Sequence, residues 1–311
     1  MTSRPPAGFF RFDCYICTDL IFSIMRRIHL SAVFALSLTL LAACQENYVF
    51  RLDEHIGMCG INRAPAAVAC GLDYLEANVN SFLVPEQSDS VFAEQRKAAD
   101  SLGLPIYSAN GFFPRDILVV GPDADLERAG RYARTAIRRA SEAGIKILVL
   151  GSSRSRSIPE GISREEAEGQ FLSLLRDMAP TAEKYGVIVA IEPLQQDETN
   201  FINTVKEGAQ MARMAGSPNI CVIADFYHMA RENEPAGDIV DAADKLVHCH
   251  IAECANRTPP GVDGDDFTPY FKALKQIKYQ GCVSLECRWD DVDAQLPVAV
   301  QVMKEQIQTL K

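Results

Sequence analysis

The sequence predicts an α/β protein built as a single (β/α)8 barrel, and three observations carry that expectation. From about residue 54, eight short apolar runs alternate with longer amphipathic stretches. Runs such as KILVL and VIVAI lack polar alternation, as expected of parallel strands covered on both faces. No GxGxxG pattern follows the first run, which argues against an open doubly wound sheet. Strands alternating with helices imply a parallel sheet, and eight of them fit closure.

The expected strands, in order, are HIGMCG (55–60), GLDYLEANV (71–79), LPIYSA (104–109), IKILVLG (145–151), VIVAIE (187–192), ICVIAD (220–225), LVHCHIAE (246–253) and CVSLE (282–286). LERAGRYARTAIRRASEAG (126–144) places apolar or small residues at three- and four-residue steps and ends in Gly144. REEAEGQFLSLLRDMAPTAEKYG (164–186) does the same and ends in Gly186, the residue type that closes helices in a left-handed conformation. The barrel is expected over 54–311, with 45–53 as a short tether.

Residues 1–44 read differently. MRRIHLSAVFALSLTLLAAC (25–44) has two arginines, an apolar stretch, then small residues before a cysteine, the layout of a secretory signal. It resembles a bacterial lipoprotein signal. That resemblance implies cleavage before Cys44, lipidation of Cys44, and an exported protein anchored at the membrane and facing the periplasm or cell surface. The apolar run 31–43 is shorter than the roughly 18–20 residues a bilayer crossing needs. A start at Met25 suits this layout better than Met1. CYIC (14–17) is a lone CxxC pair in the leader, a weak signal for redox or metal chemistry. The later cysteines fall largely in apolar runs and read as buried small hydrophobes; whether they pair is left open.

With 311 residues, 48% hydrophobic, the chain has ample length for one large core. Its formal net charge of −10 argues against nucleic acid as a partner.

Functional groups in such a barrel sit where strands end, at the carboxyl face. The last four runs each deliver a metal-capable side chain there: Glu192, Asp225, His250 and Glu286. A single acid after a strand is ordinarily a helix cap or a solvated turn. Four such groups on consecutive strands can converge on one point. Three carboxylates and one imidazole form a hard, mostly oxygen site suited to Mn²⁺, Mg²⁺ or Co²⁺, with Zn²⁺ also possible. His248 shares a strand face with His250 but lies deeper, and reads as a hydrogen-bonded interior histidine. Trp289 lies three residues past a ligand and is a pocket candidate. Phe112, Phe113 and Tyr227 are candidates for pocket walls, although core burial is the commoner role of such residues. Arg154 and Arg156 read either as binders of a phosphate or carboxylate or as a solvated basic loop.

The stretches IEPLQQDETNFINT, ADFYHM, HCHIAE and YQGCVSLE, supported by GSSRSRSIPEG, resemble the xylose isomerase-like TIM barrels, the sugar phosphate isomerase/epimerase group. Within it the likeness is nearest to ketose 3-epimerases of the tagatose/psicose type and to hydroxypyruvate isomerase-like proteins. The resemblance implies a divalent-metal-dependent sugar isomerase or epimerase that abstracts a proton next to a carbonyl through a metal-stabilised enediolate. Glu192, Asp225, His250 and Glu286 would bind one metal, Mn²⁺ foremost, and Glu192 and Glu286 would double as the acid/base pair. Glu198, His228 and Arg257 would bind substrate oxygens, and Glu76 would line the pocket. HIAECANR is one residue longer than the family's H-x-x-E-x-x-R spacing, which bears on Arg257. The resemblance also suggests a homo-oligomer.

Other readings start from the same residues. A lyase or dehydratase acting on a keto-sugar or keto-inositol would begin with the same proton removal. A non-catalytic sugar-binding lipoprotein would need only a tether and a rim. An endonuclease IV-like phosphodiesterase would need many histidines, and past Cys44 the chain has only His55, His228, His248 and His250.

Overall fold

The computed structural model describes residues 48–310. The signal-like leader, Cys44 and the CYIC pair lie outside the described residues. Eight strands close into a parallel barrel in sequence order: β1 (Ile56–Cys59), β2 (Tyr74–Asn78), β3 (Ile106–Asn110), β4 (Ile147–Leu150), β5 (Ile188–Ile191), β6 (Ile220–Asp225), β7 (Leu246–Ile251) and β8 (Cys282–Leu285). The seam pairs β1 with β8, Ile56 opposite Val283 and Met58 opposite Leu285. Each expected strand is therefore present, within a few residues of its expected ends.

The two helices read from the sequence are also present. In chain order, α1 is Ala64–Cys70, α2 Asp89–Ala99, α3 Leu126–Glu142, α4 Ser153–Arg156 and α5 Arg164–Tyr185. The Asp125 carboxylate accepts the Arg128 N–H at 2.9 Å, and Ser163 Oγ accepts the Glu166 N–H at 3.1 Å, so the starts of α3 and α5 are capped. Gly186 closes α5 at φ +63°, its N–H returning to Ala182 and Glu183. The second half of the barrel adds α6 (Val205–Ala215), α7 (Phe226–Arg231), α8 (Gly237–Asp241), α9 (Thr268–Gln276) and α10 (Val292–Gln308).

Both faces of the sheet are dry, which explains the unbroken apolar runs. Leu148, Leu150, Val189 and Ile191 pack outward with Phe171, Leu175 and Met178 of α5. Ile147, Val149, Ala190 and Ile223 fill the barrel interior with Cys221. Packing begins earlier than expected. Phe50 and Leu52 are each 2% exposed and Leu52–Glu54 forms a 3-10 turn, so part of the expected 45–53 tether is packed. The described cysteines, Cys59, Cys70, Cys221, Cys249, Cys254, Cys282 and Cys287, are free thiols. No helix among the described residues is long and apolar enough to cross a membrane.

Two register irregularities shape the carboxyl rim. One falls between Leu75 and Glu76 in the β2–β3 pairing, the other between Val222 and Ile223 in the β6–β7 pairing. Such bulges re-aim the side chains beyond them. Past the second, Asp225 lies opposite His250, and His250 lies opposite Ser284 of β8.

The start of α6 receives the carboxyl of Glu234, 7% exposed, which accepts the Val205 N–H at 2.7 Å. Burial pushes this carboxyl up to about 8, against the lowering effect of the Val205 N–H. The fold therefore favours its protonated form. Its contribution to stability is full below the ordinary carboxyl range and is lost as pH rises toward 8. Glu234→Gln should flatten the fall in denaturant midpoint between pH 5 and pH 8 relative to the parent; parallel curves would contradict the assignment.

A candidate metal centre at the carboxyl rim

The four strand-end residues converge. Glu192 follows β5 and donates its N–H to Leu150 O at 3.1 Å; Glu286 follows β8 and donates to Ile251 O at 3.1 Å. Asp225 ends β6, and His250 lies in β7. One ligand atom from each lies within 4.8 Å of the others. His250 Nδ1 is 3.0 Å from Glu192 Oε1 and 3.1 Å from Glu286 Oε2. Asp225 Oδ1 accepts the Tyr227 N–H at 2.8 Å, which fixes the carboxylate at the start of α7.

The electrostatics test whether these residues suit a cation. Like charges this close repel by roughly 3 kcal/mol per pair at an effective dielectric near 20. Glu192, Asp225 and His250 are at most 6% exposed, so water screens little. Burial alone would lower His250, but Glu76, Glu286 and Glu192 overcome it and hold the imidazole charged well above its ordinary range. Burial, reinforced by Glu286 and Asp225 and opposed by His250, raises Glu192. Glu286 is instead held down to about 2, where His250 and Arg257 overcome burial. The cluster thus calls for positive charge at its centre. A divalent cation would supply it and leave His250 neutral, so the donor set fits such an ion.

Glu76 requires a correction. It is fully buried in the barrel interior, not lining a pocket. Its Oε1 lies 2.9 Å from His250 Nε2. Its Oε2 accepts Ser108 Oγ at 2.6 Å and Ser284 Oγ at 2.8 Å, and lies 3.0 Å from His248 Nε2. Every contact turns it toward the underside of His250, where it fixes the ring and leaves Nδ1 facing the three carboxylates. Carboxylates in that position orient metal-binding histidines. His248, fully buried, is the hydrogen-bonded interior histidine expected from the strand period. Cys59, Glu76 and His250 form a second close group. There Nε2 is already committed to Glu76, and burial, then Glu76 and Glu286, push the Cys59 thiol well above its ordinary range. The four-residue set is the better ligand group.

Around the rim, Arg257 arrives despite the longer spacing, because its backbone takes φ +58°. It pairs with Glu286 Oε2, donates from Nε to Glu286 O at 3.2 Å, and reaches Asp225 Oδ2 at 3.4 Å. Glu198, at the solvent edge, is 3.9 Å from Arg257 and accepts from Gln195 Nε2 at 3.0 Å. His228 is 2% exposed; its Nδ1 accepts the Gln195 N–H at 3.2 Å, while its buried Nε2 has no partner and lies 3.5 Å from Asp225 Oδ2. An orphaned ring nitrogen at that position suits a ligand oxygen. Trp289 is partly buried with an enclosed, unpartnered indole N–H, and no described hydrogen bond or ring contact joins it to the four residues.

The structure decides two further readings. Phe112 and Phe113 are 0% and 4% exposed and pack on Tyr132 in the outer core, so they are not pocket walls; Tyr227 does lie at the rim, its ring 4.8 Å from the Arg257 guanidinium. Arg156 is neither an anion binder nor solvated: fully buried, it donates to Gly151 O and to Glu192 O, each at 2.7 Å. Arg154 is exposed. Residues missed in the sequence are Asn110, whose Nδ2 donates to Glu286 Oε1 at 2.8 Å, and Gly151, where a Cβ would fall 2.2 Å from Glu192 Oε2. Both end strands, the position already used to find the ligands.

Comparison with known proteins places this geometry. The family model described as xylose isomerase-like TIM barrel matches residues 64–311. The L-ribulose 3-epimerase of Methylomonas sp. is 30% identical over 235 residues, 73% of this chain and 78% of that protein. The D-psicose 3-epimerase of Agrobacterium fabrum is 28% identical over 223 residues, 70% of this chain and 75% of that protein. The crystal structure of D-psicose 3-epimerase with D-tagatose from Clostridium cellulolyticum superposes with a TM-score of 0.71 at 21% identity, covering 81% of this chain and 99% of that one. At that identity the superposition speaks for the fold.

Glu76→Gln should weaken Mn²⁺ binding about 10- to 100-fold by calorimetry; unchanged affinity would contradict the role given to Glu76. Gly151→Ala should also lower Mn²⁺ affinity, because the new methyl displaces the Glu192 carboxylate. Parental affinity in that variant would show that Glu192 is not a ligand in the position described.

Proposed function

The chain belongs to the xylose isomerase-like TIM barrel family and is an enzyme of the isomerase class, and from that premise we propose that it inverts the carbon beside the carbonyl of a free ketose, as a 3-epimerase. One observation carries the reading. Two carboxylates, from β5 and β8 on either side of β6 and β7, reach the same nitrogen of His250 within 3.1 Å. With a cation held at that point, a substrate carbon beside it would have one carboxylate on each side, an acid and a base.

A divalent cation held by Glu192, Asp225, His250 and Glu286 would polarise the ketose carbonyl and a neighbouring hydroxyl, with Mn²⁺ foremost and Mg²⁺, Co²⁺ or Zn²⁺ as alternatives. The protein's residues do the rest. One of Glu192 and Glu286 takes the proton from the carbon, and the other returns a proton on the opposite face, which inverts the centre. Arg257 and Asn110 each hold one Glu286 oxygen and restrict its rotation. Arg156 fixes the Glu192 backbone from behind. His228 Nε2 and Glu198 are placed to bind hydroxyl oxygens. Arg257 is already engaged by Glu286 and Asp225, leaving its charge poorly available to a substrate phosphate. That favours a free sugar, and it agrees with the exported, Cys44-anchored location that we propose from the leader.

The test is incubation of the Mn²⁺-loaded protein with a panel of ketoses in D₂O. The expected result is deuterium at the carbon beside the carbonyl in both epimers, without loss of water, and loss of turnover on chelation. A dehydrated product would establish a lyase instead, and binding without exchange would establish a silent sugar binder. Glu192→Gln and Glu286→Gln should each lower turnover by about 10²- to 10⁴-fold; turnover near the parent's in either variant would remove that residue from the acid/base pair.

A further inference from the structure

Three residues beyond His250, Glu253 is fully buried, yet it forms no salt bridge among the described residues. Its Oε1 accepts the N–H groups of Gly261 at 2.7 Å, Gly264 at 3.0 Å and Asp265 at 3.3 Å. Its Oε2 accepts the Asp263 N–H; Thr258 Oγ1 is 3.2 Å away but has the closer acceptor in Asp263 Oδ2 at 2.7 Å. Its own N–H donates to Thr258 O at 2.8 Å. A carboxylate dry on all sides persists only when donors of this kind surround it. Gly261 and Gly264, at φ +98° and +85°, allow the chain to turn so that these amides face one point.

The loop closed in this way carries Arg257 at its base. Thr258, the next residue, is held by Glu253 through its carbonyl, which accepts the Glu253 N–H, and by Asp263, itself bound to Glu253, through its hydroxyl. Arg257 itself sits at φ +58°, a conformation that non-glycine residues adopt only when their surroundings impose it. Its carbonyl accepts the Arg288 N–H at 2.7 Å on the other side. Between these two anchors the guanidinium is delivered onto Glu286 and Asp225. The extra residue between His250 and Arg257 makes such anchoring necessary, since a longer segment would otherwise present the arginine at several heights.

We infer that Glu253 is a positioning residue, a buried carboxylate that folds the 254–266 loop around itself and so fixes Arg257 over the ketose. This rests on the epimerase reading for the identity of the ligand, but not for the geometry. Glu253 acts through Arg257 and touches none of the four candidate cation ligands in any described contact.

The test is a double-mutant cycle on the Mn²⁺-loaded protein with Glu253→Gln, Arg257→Ala and the pair, measured as KM and kcat with the parent's best ketose and as Mn²⁺ affinity. Gln replaces one acceptor oxygen with an amide donor facing Asp263 N–H or the Gly261 and Gly264 amides. The expected result is a KM raised tenfold or more by each single change and no more than a twofold further rise in the double variant, with Mn²⁺ affinity lowered no further in the pair than in Arg257→Ala alone, since Arg257 also holds Glu286 and Asp225. Parental KM in Glu253→Gln, effects that multiply in the pair, or a greater loss of Mn²⁺ affinity in Glu253→Gln than in Arg257→Ala would overturn the inference. Glu253→Asp, which keeps the charge but withdraws the carboxylate from the loop amides, should shift KM in the same direction, and serves if Glu253→Gln does not fold. Should the parent turn over no ketose, the epimerase reading fails. Calorimetric affinity for the same ketose panel across the four proteins then decides the role of Glu253: a shared loss in the variants upholds it, and equal affinity in all, including none, overturns it.

Discussion

Three carboxylates and one imidazole share a space in which their ligand atoms lie within 4.8 Å of one another, and most of that space is closed to water. No packing of apolar groups offsets such crowding; positive charge must. The rim is built around that requirement. His250 carries charge between Glu76 below and Glu192 and Glu286 above. Arg257 adds a second charge from the loop after β7 and binds Glu286. Arg156 lies behind Glu192 and donates from Nε and Nη2 to the Gly151 and Glu192 carbonyls, so that it holds the strand ends. A divalent cation at the centre would offset the charge of the three carboxylates together.

The fold delivers the crowding because consecutive strands of a closed barrel end side by side. β5 to β8 contribute one ligand each, and the β6–β7 irregularity brings Asp225 opposite His250. Beneath that layer Glu76, Ser108, His248, Ser284 and Tyr74 form a buried polar network, an uncommon filling for a barrel interior. Its members satisfy one another except at His248 Nδ1, which is buried without a hydrogen-bond partner. The chain of contacts from Tyr74 to His250 ties ligand orientation to barrel packing.

Much of this is legible in the sequence, for a physical reason. Parallel strands buried on both faces write themselves as unbroken apolar runs, so an acid that stops one is conspicuous, as at Glu192, Asp225 and Glu286. His250 is separable from His248 by strand period alone. Glu76 escapes a correct reading because its neighbours across the barrel, Ser284 and His248, lie 208 and 172 residues away, and its aim follows from a local register shift that leaves no sequence mark. Phe112 and Phe113 stay open between wall and core because a strand-end position does not tell rim from helical shell. Arg156 looks like loop charge because its acceptors are carbonyls, which every residue has. Asn110 and Gly151 carry neither charge nor imidazole and so do not stand out beside the acids and histidines, yet the same strand-end rule applied to amides and glycines finds both.

The central claim is that Glu192, Asp225, His250 and Glu286 hold one divalent cation together. Anomalous diffraction from crystals grown with Mn²⁺ tests it most directly. The account predicts a single strong peak inside the barrel, about 2.0–2.4 Å from an oxygen of each carboxylate and from Nδ1 of His250. A rim without a peak, or an ion bound instead by Cys59 and Glu76 on the Nε2 side of the imidazole, would contradict it.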